Sequence, residues 1–499
     1  MNLFAQSKIK LTSLVLSSLL LIVGLTSASS YAAPANNKTA NKSVAKNKKS
    51  VKYVFLMIGD GMAATQINVT RKYKEKPLNI DKLNVKGLTY TGSQNKSVTD
   101  SAAAATAIAC GKKTANGMVG VSAQGEKLVS IAEKAKKYSK RKVGIVSSVS
   151  LNHATPAAFY AKNTNRGEYY EIGLDLVKSD IDFYGGGGLN EKSGDKGDLY
   201  ELAKKRGFKF VDSKKDFEKL KNGEKKKILA IAPRLNDDAS MPKSIDQREG
   251  DISLAQFTQK AIDVLDNDNG FLIVVEGGQI DWSCHENDGA TVIKELLAFD
   301  EAVKVAYDFA QKHPEETLIV VGGDHETGGM KMGLSGSQYR TYRSVLSKQK
   351  NSAKVFNAEF DKKASSFKYS EDKKVMGQQF NEMMKLVKNV FGTDFTISEK
   401  NQIKKGFYAF LDKKAKDPKL KNKYGNMKFG KYNPVTVAVL HTLNKRAGVS
   451  WTSFEHTATP TTVFAYGKKA DIFAGSYQNT ELGIKLMSVI GVPARVEYK

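Results

Sequence analysis

Cysteine and proline are scarce: two and ten respectively in 499 residues. That excludes a disulfide framework and a collagen-like chain. Histidine occurs only six times, so each imidazole can be weighed singly. Acidic residues are the minority charge, 52 against 78 Lys and Arg, for a formal net charge of +26. A field of that sign attracts anionic substrates and also nucleic acid, and does not choose between them. Long apolar runs are lacking too. The one at Leu11–Val23 follows Lys8 and Lys10 and is broken by serines. It is short for a bilayer span of roughly 20 apolar residues, and Ser30-Tyr31-Ala32 follows as a small-x-small cleavage site. Residues 1–32 therefore read as a signal peptide, which implies a periplasmic or secreted protein with no membrane span. No cysteine stands near the cut, which argues against a lipid anchor. Residues 33–52 carry six lysines and no acid, and read as a disordered basic tether.

What is present can build a core. Apolar residues make up 41% and aromatics 9% of the chain, which excludes wholesale disorder. Short apolar runs at Tyr53–Ile58, Val143–Val149, Ile228–Ile231, Phe271–Val275, Leu318–Val321 and Thr462–Tyr466 end in loop residues. Helical patterns fall at Ser101–Cys110, Leu128–Tyr138, Ile252–Leu265 and Thr291–Gln311. The alternation predicts an α/β fold: a large, mostly parallel sheet with helices on both faces. Residues 53–499 would form one catalytic domain. A segment from about 332 to 450 is rich in Lys, Asn and Gln, with amphipathic helices at Val375–Val390 and Val435–Leu443, and reads as an insertion. Cys110 and Cys284 read as free thiols. Gly185 to Gly188 lack the Lys-Ser/Thr ending of a nucleotide-binding loop, and read as a strand-end turn.

In such sheets ligands sit beyond the carboxyl ends of the strands, and polar residues cluster there. Asp60 follows the first run between glycines; it could simply make a turn. Ser101 follows Asp100 and precedes four alanines. Either residue could be only a helix cap, or Ser101 could be a nucleophile at a helix N-terminus, where an anion is favoured. His153, Thr155 and Arg166 follow another run, and a fixed Arg can clamp two phosphoryl oxygens. Glu276 ends a very apolar strand, an expensive place for an unpaired carboxylate. Asp281 and His285, four apart, would share one face of a helix and could grip one metal. Asp324-His325 at a strand end is a good metal-ligand pair. Together, Asp281/His285/His456 and Asp60/Asp324/His325 could hold two zinc ions, while Asp60, Thr155 and Glu276 offer oxygen donors to a harder ion such as magnesium. Of the other histidines, His313 ends a helix and His441 lies in the insertion, where it rivals His456.

The order and wording of these motifs closely resemble the metal-dependent alkaline phosphatases of bacteria and animals. The resemblance runs from about Tyr53 to Met330 and resumes at Trp451 to Tyr466. It implies a phosphoric monoester hydrolase with two Zn2+ and one Mg2+. Ser101 would be the nucleophile that forms a phosphoserine, and Arg166 the phosphoryl clamp. Asp281, His285 and His456 would bind the first zinc, and Asp60, Asp324 and His325 the second. Asp60 would bridge to a magnesium completed by Thr155 and Glu276. His153 and Trp282 fall beside that third metal at positions that vary within the family, some members carrying Asp and Lys; zinc would enter there if His153 ligates. The insertion would form a cap over the site or a dimer contact, so a homodimer is allowed.

Two other classes fit the motifs less well. A sulfatase needs Cys or Ser followed by x-Pro-x-Arg, and Ser101, Cys110 and Cys284 all lack that context; for a diesterase, Arg166 instead matches the extra charge of a monoester. A nucleic-acid binder needs basic residues interleaved with aromatics, which the motifs do not show. The expected substrates are small phosphate monoesters, with no specific nucleic-acid binding.

Overall fold

The computed structural model describes residues 51–334, 341–415, 420, 423–425 and 427–499. Residues 1–50, which hold the expected signal peptide and most of the tether, lie outside them. The β-branched runs assemble into one ten-stranded sheet. Across it the strands follow the order 475–478, 85–90, 461–467, 317–323, 53–59, 271–276, 142–147, 183–186, 228–231 and 209–211. Every neighbouring pair is parallel except the two made by strand Thr461–Gly467. The mostly parallel sheet is thus as expected. Strands Val85–Tyr90 and Gly475–Gln478 at one edge and Lys209–Val211 at the other escaped the sequence reading. Phe183–Gly186, read as part of a turn, is also a strand. The glycines there still turn the chain at its end: Gly186 has φ 122°, and a Cβ on it would lie 1.9 Å from the Ser147 carbonyl oxygen.

Side-chain alternation sends each strand into two cores. In strand Tyr53–Gly59, Val54, Leu56 and Ile58 enter one core with Ala102, Ala105 and Leu486. Tyr53, Phe55 and Met57 enter the other with Phe257, Phe271 and Phe299. Helices Ser101–Cys110, Ile131–Ser139 and Asn479–Ile490 cover the first face; Leu254–Leu265 and Gly289–Lys312 cover the second. Strands buried on both faces need continuous apolar runs, which is why the sequence shows runs instead of alternation. Ser101–Cys110 is buried at all ten positions. Its alanines let it lie against Asn479–Ile490, where a Cβ on Gly483 would come within 2.2 Å of the Ile108 carbonyl.

Val51 and Lys52, which the sequence places in the tether, are packed. Val51 is fully buried and Lys52 N–H donates to the Glu316 carbonyl at 2.8 Å. Val51 is apolar, and Arg141 donates to its carbonyl. Helix Ile131–Ser139 likewise begins three residues after Leu128, because Ser130 and Glu133 form a reciprocal cap.

At the far end of the chain, Lys331–Met332 pairs antiparallel with Val449–Ser450. Between these strands the described residues carry their own core, including Phe356, Phe360, Phe391 and Phe407. Helices Ala353–Ala364, Lys373–Phe391, Ile397–Ala415 and Pro434–Ala447 surround it. Gln349 reaches the buried Asp288 at 2.9 Å, and Ser352 N–H donates to Asp246 at 2.9 Å. Cys110 and Cys284 are free and buried; burial pushes the Cys110 thiol up to about 11. Among the described residues no helix is long and apolar enough to cross a membrane.

Candidate active site and metal centre

Parallel strands put their carboxyl ends on one rim. From that rim Gly59 leads to Asp60, Ser147 to His153 and Thr155, Glu276 to Asp281 and His285, and Gly323 to Asp324 and His325. Strand Thr461–Gly467 runs the other way. Its beginning therefore lies on the same rim, and so does His456 just before it. Gly61 (φ 71°) passes directly beneath Asp281, whose Oδ1 would stand 2.9 Å from any Cβ there.

Three sets of donor atoms each fit within 4.8 Å: Asp281/His285/His456, Asp60/Asp281/His325 and Asp60/His153/Glu276. In the first, Asp281 Oδ2 lies 3.3 Å from His285 Nε2 and Oδ1 3.6 Å from His456 Nε2. The two Nε2 atoms face each other at 3.1 Å. Each ring's Nδ1 is within hydrogen-bond reach of a carbonyl, His285 of Phe454 at 2.5 Å and His456 of Thr99 at 2.9 Å. A carbonyl only accepts, so both Nδ1 atoms carry protons. That turns two Nε2 lone pairs on each other unless a positive charge lies between them. Burial opposes charge on His285, but Asp281 raises its imidazole to about 9. Burial equally opposes ionisation of Asp281, yet His285 and its neighbours hold it well below the usual carboxylate range.

At the second set one ring nitrogen meets three side-chain oxygens, of which those of Asp324 and Ser101 lie outside the set itself. His325 Nε2 is 3.3 Å from Asp60 Oδ1, 3.3 Å from Asp324 Oδ2 and 3.1 Å from Ser101 Oγ. Burial first, then His456, pushes the His325 imidazole well below its ordinary value, so it stands neutral with a lone pair to offer. Both Asp60 oxygens and Asp324 Oδ2 are buried without a hydrogen-bond partner. Burial and then adjacent carboxylates push both acids well above their ordinary values. In the third set Glu276 Oε2 accepts from the Ser147 hydroxyl, while Oε1 and Thr155 Oγ1 are buried without partners. Burial pushes Glu276 up to about 7.

Unpartnered buried carboxylates cost several kcal/mol each unless a cation compensates them. The donor chemistry fits divalent ions: nitrogen and oxygen in the first two sets, and the oxygens of Asp60, Thr155 and Glu276 around the third. Asp281 borders the first two sets, where spacing along the chain had placed it in one. His441 stays outside; its Nε2 meets Asn287 Oδ1 at 2.9 Å and its ring stacks on Phe454 at 5.8 Å. His313 ends helix Gly289–Lys312, as its sequence suggested.

Ser101 is the first residue of its helix. Asp100 caps that helix, accepting from Ala103 N–H at 3.0 Å, so of the pair Asp100 is the cap and Ser101 stands at the first helical position. The same carboxylate accepts from Arg166 Nη1 at 3.0 Å. Burial opposes the guanidinium charge, but Asp100 more than offsets it and holds Arg166 above its usual value. Arg166 Nη2 donates to His153 Nε2 at 3.1 Å, and the His153 ring meets Trp282 edge-on at 5.6 Å. Burial, then Arg166, drives His153 down to about 3. Ser101, Arg166, Asp281, His285 and His456 line a cleft of about 340 Å3, together with Glu286, Lys431 and Tyr432. The last three escaped the sequence reading. No motif marks them, and two come from the insertion.

A family model described as alkaline phosphatase matches residues 51–492. The chain belongs to the alkaline phosphatase family. It is therefore a phosphoric monoester hydrolase, from a metal-dependent family. The chain is 30% identical to alkaline phosphatase 4 of Bacillus subtilis (strain 168) over 96% of each. Among solved structures it is similar to the cold-active alkaline phosphatase of a psychrophilic Shewanella, with a TM-score of 0.72 and 27% identity over 88% of this chain and 99% of that one. A His-to-Glu mutant of TAB5 alkaline phosphatase with Mg bound in its M3 site matches at a TM-score of 0.63 and 29% identity, over 89% of this chain and 99% of that one.

Proposed function

We propose that this alkaline phosphatase is exported and hydrolyses phosphate monoesters in two displacements through a phosphoserine at Ser101. Asp281, His285 and His456 would hold one zinc, and Asp60, Asp324 and His325 a second. Asp60, Thr155 and Glu276 would hold magnesium, with His153 and Trp282 alongside. The observation that carries this reading is the set of unpartnered buried carboxylate oxygens on Asp60, Asp324 and Glu276 together with the neutral His325 imidazole against the Ser101 hydroxyl. When bound, the three ions would supply the positive charge that stabilises a phosphoryl group in an in-line displacement.

The chain's own groups do the rest. The first N–H groups of helix Ser101–Cys110 have no intrahelical partner and favour an anion beside Ser101. Arg166, fixed by Asp100 and His153, presents its guanidinium to two phosphoryl oxygens. In the first step the Ser101 Oγ–P bond forms and the ester P–O bond breaks, releasing the alcohol. In the second, water attacks phosphorus, the Oγ–P bond breaks, and inorganic phosphate leaves. Asp100 contributes at a distance: without it Arg166 loses its carboxylate anchor and the helix its cap. In the third set His153 is within ligand range of Asp60 and Glu276. Export rests on residues 1–32, and the domain reading on residues 53–499 with an insertion at about 332–450.

The test is acid-quench trapping with a labelled monoester. The wild type should yield phosphate on Ser101. Ser101→Ala should yield none and lose on the order of 10^4-fold or more in kcat, with its metal content unchanged. A trapped phosphoenzyme in that variant would refute the assignment.

A further inference from the structure

Among the described residues, the insertion reaches the reaction cleft at the turn Phe429–Tyr432. Tyr432 N–H donates to the Phe429 carbonyl at 3.1 Å, and Gly430, at φ 55°, turns the chain between them. Asn433 then caps helix Pro434–Ala447, accepting from Val435 N–H at 2.9 Å. The Tyr432 ring lies 5.4 Å from that of Phe454, whose carbonyl faces His285 Nδ1. The turn is thus packed onto the segment that carries His456.

It brings two side chains to the cleft. Tyr432 and Trp282 both line it, offering ring surface outside the phosphoryl position marked by Ser101 and Arg166. Lys431 lines it too. Its side chain is exposed, its Nζ sits 5.8 Å from the Tyr432 ring centre, and it makes no ion pair among the described residues. Of the acids around this mouth, Glu286 is paired with the buried Lys243 at 2.7 Å, Asp281 faces His285 at 3.3 Å, and the exposed Glu455 makes no ion pair with Lys431 among the described residues. A free cation is therefore left facing the space that the alcohol part of a monoester must occupy.

We propose that Lys431 and Tyr432 form the leaving-group subsite of this enzyme, and that it favours monoesters whose alcohol carries a ring and a second negative charge. The ring lies against Tyr432 and Trp282, and Lys431 meets the charge. This rests on the cleft being the phosphoryl-transfer site. An anionic alcohol would otherwise be disfavoured beside a dianionic phosphoryl group, so a cation placed here changes the choice of substrate more than the chemistry.

The experiment compares kcat/KM for phenyl phosphate, para-carboxyphenyl phosphate and glycerol phosphate on the metal-loaded full-length enzyme. Lys431 is exposed, so Lys431→Gln and Lys431→Glu should fold normally. The carboxyphenyl-to-phenyl ratio should fall about threefold in the Gln variant and about tenfold in the Glu variant, the scale of one charge pair at a partly screened rim. High salt should lower the same ratio in the wild type and leave the Gln variant unmoved, because screening removes only a charge that is there. Tyr432→Leu should lower the phenyl-to-glycerol ratio. An unchanged carboxyphenyl ratio in both Lys431 variants would overturn the proposal, as would an equal fall for both ring substrates. Trapping of phosphate on Ser101, run in parallel, separates the two readings. If trapping persists while the ratios stay fixed, this subsite alone is wrong; if no phosphoserine forms in the wild type, the proposed mechanism fails first.

Discussion

Strand Phe271–Glu276 buries all six of its residues and ends on a carboxylate that has one unpartnered oxygen. Helix Lys373–Phe391 of the insertion buries six of nineteen, all apolar. The two regions meet at one cleft, yet polar groups are handled in opposite ways. On the rim of the sheet, Asp60, Glu276, Asp281 and Asp324 are buried and, among the described residues, none makes an ion pair with lysine or arginine. In the insertion the charges sit outside, in pairs such as Lys363–Glu382 at 2.9 Å, over a core of phenylalanines. A region that keeps costly buried acids is built around a ligand; one that follows the ordinary rule of apolar inside and charged outside is built to be stable. The difference teaches where to expect chemistry. It also shows how the insertion can serve the cleft through two side chains without supplying a donor to any of the three sets.

The strongest way to break this comparison is to remove the ions. Chelation should abolish turnover and lower the melting temperature, because Asp60, Asp324 and Glu276 are left buried together. Binding worth about 4 kcal/mol at a thousandfold excess over Kd sets the scale. Scanning calorimetry with and without re-added zinc and magnesium would check it. An unchanged melting temperature would mean that the carboxylates need no cation.

A single ligand comes next. Asp281→Asn removes the carboxylate shared by the first two sets. It should lower zinc content by more than one equivalent and cost at least about 10^2-fold in kcat/KM, the scale of a lost electrostatic stabiliser. Mass spectrometry of the native protein reads the metals directly. Loss of a single equivalent would show that Asp281 serves one set.

Phe360→Ala should do the reverse. It opens a cavity in the insertion core at a cost of about 3–5 kcal/mol, read as faster amide exchange in helix Lys373–Phe391. Metal content should hold, and activity should change only a few-fold, through the Lys431–Tyr432 turn. Loss of zinc in this variant would erase the distinction between the regions.

The smallest effect concerns an acid away from the cleft. Burial pushes Glu295, on helix Gly289–Lys312, up to about 7, against the pull of the Ser244 N–H. Its folded-state pKa lies above its unfolded value near 4.5, so the folded state holds the proton more tightly. The stability it contributes is greatest below about pH 4.5 and declines as pH rises to about 7. Glu295→Gln should therefore gain on the wild type through that window and then run level, as urea midpoints would show. A constant gap across the window would show that Glu295 does not titrate there.

Much of the fold was legible because buried parallel strands leave long apolar runs. Ile228–Ile231 and helix Ser101–Cys110 have the bounds their sequences suggested. Edge strands were missed because Val85–Tyr90 and Gly475–Gln478 are half-exposed and carry glycine and polar residues. The donor side chains were legible at strand ends, where acids and histidines are rare and stood out. His456 against His441 was not decidable from spacing. The antiparallel strand that follows His456 settles its place on the rim, while His441 turns to Asn287.

Residue order alone determined which strands would be buried and which side chains would stand at their ends, because burial and loop chemistry act over a few neighbours. Only the tertiary structure decided that Asp281 faces two donor sets, that Asp100 holds both a helix and Arg166, and that Lys431 arrives at the mouth of the cleft. Those relations join residues tens to hundreds of positions apart, and chain distance carries no information about them until the sheet order and the insertion's return path place them within a few ångströms.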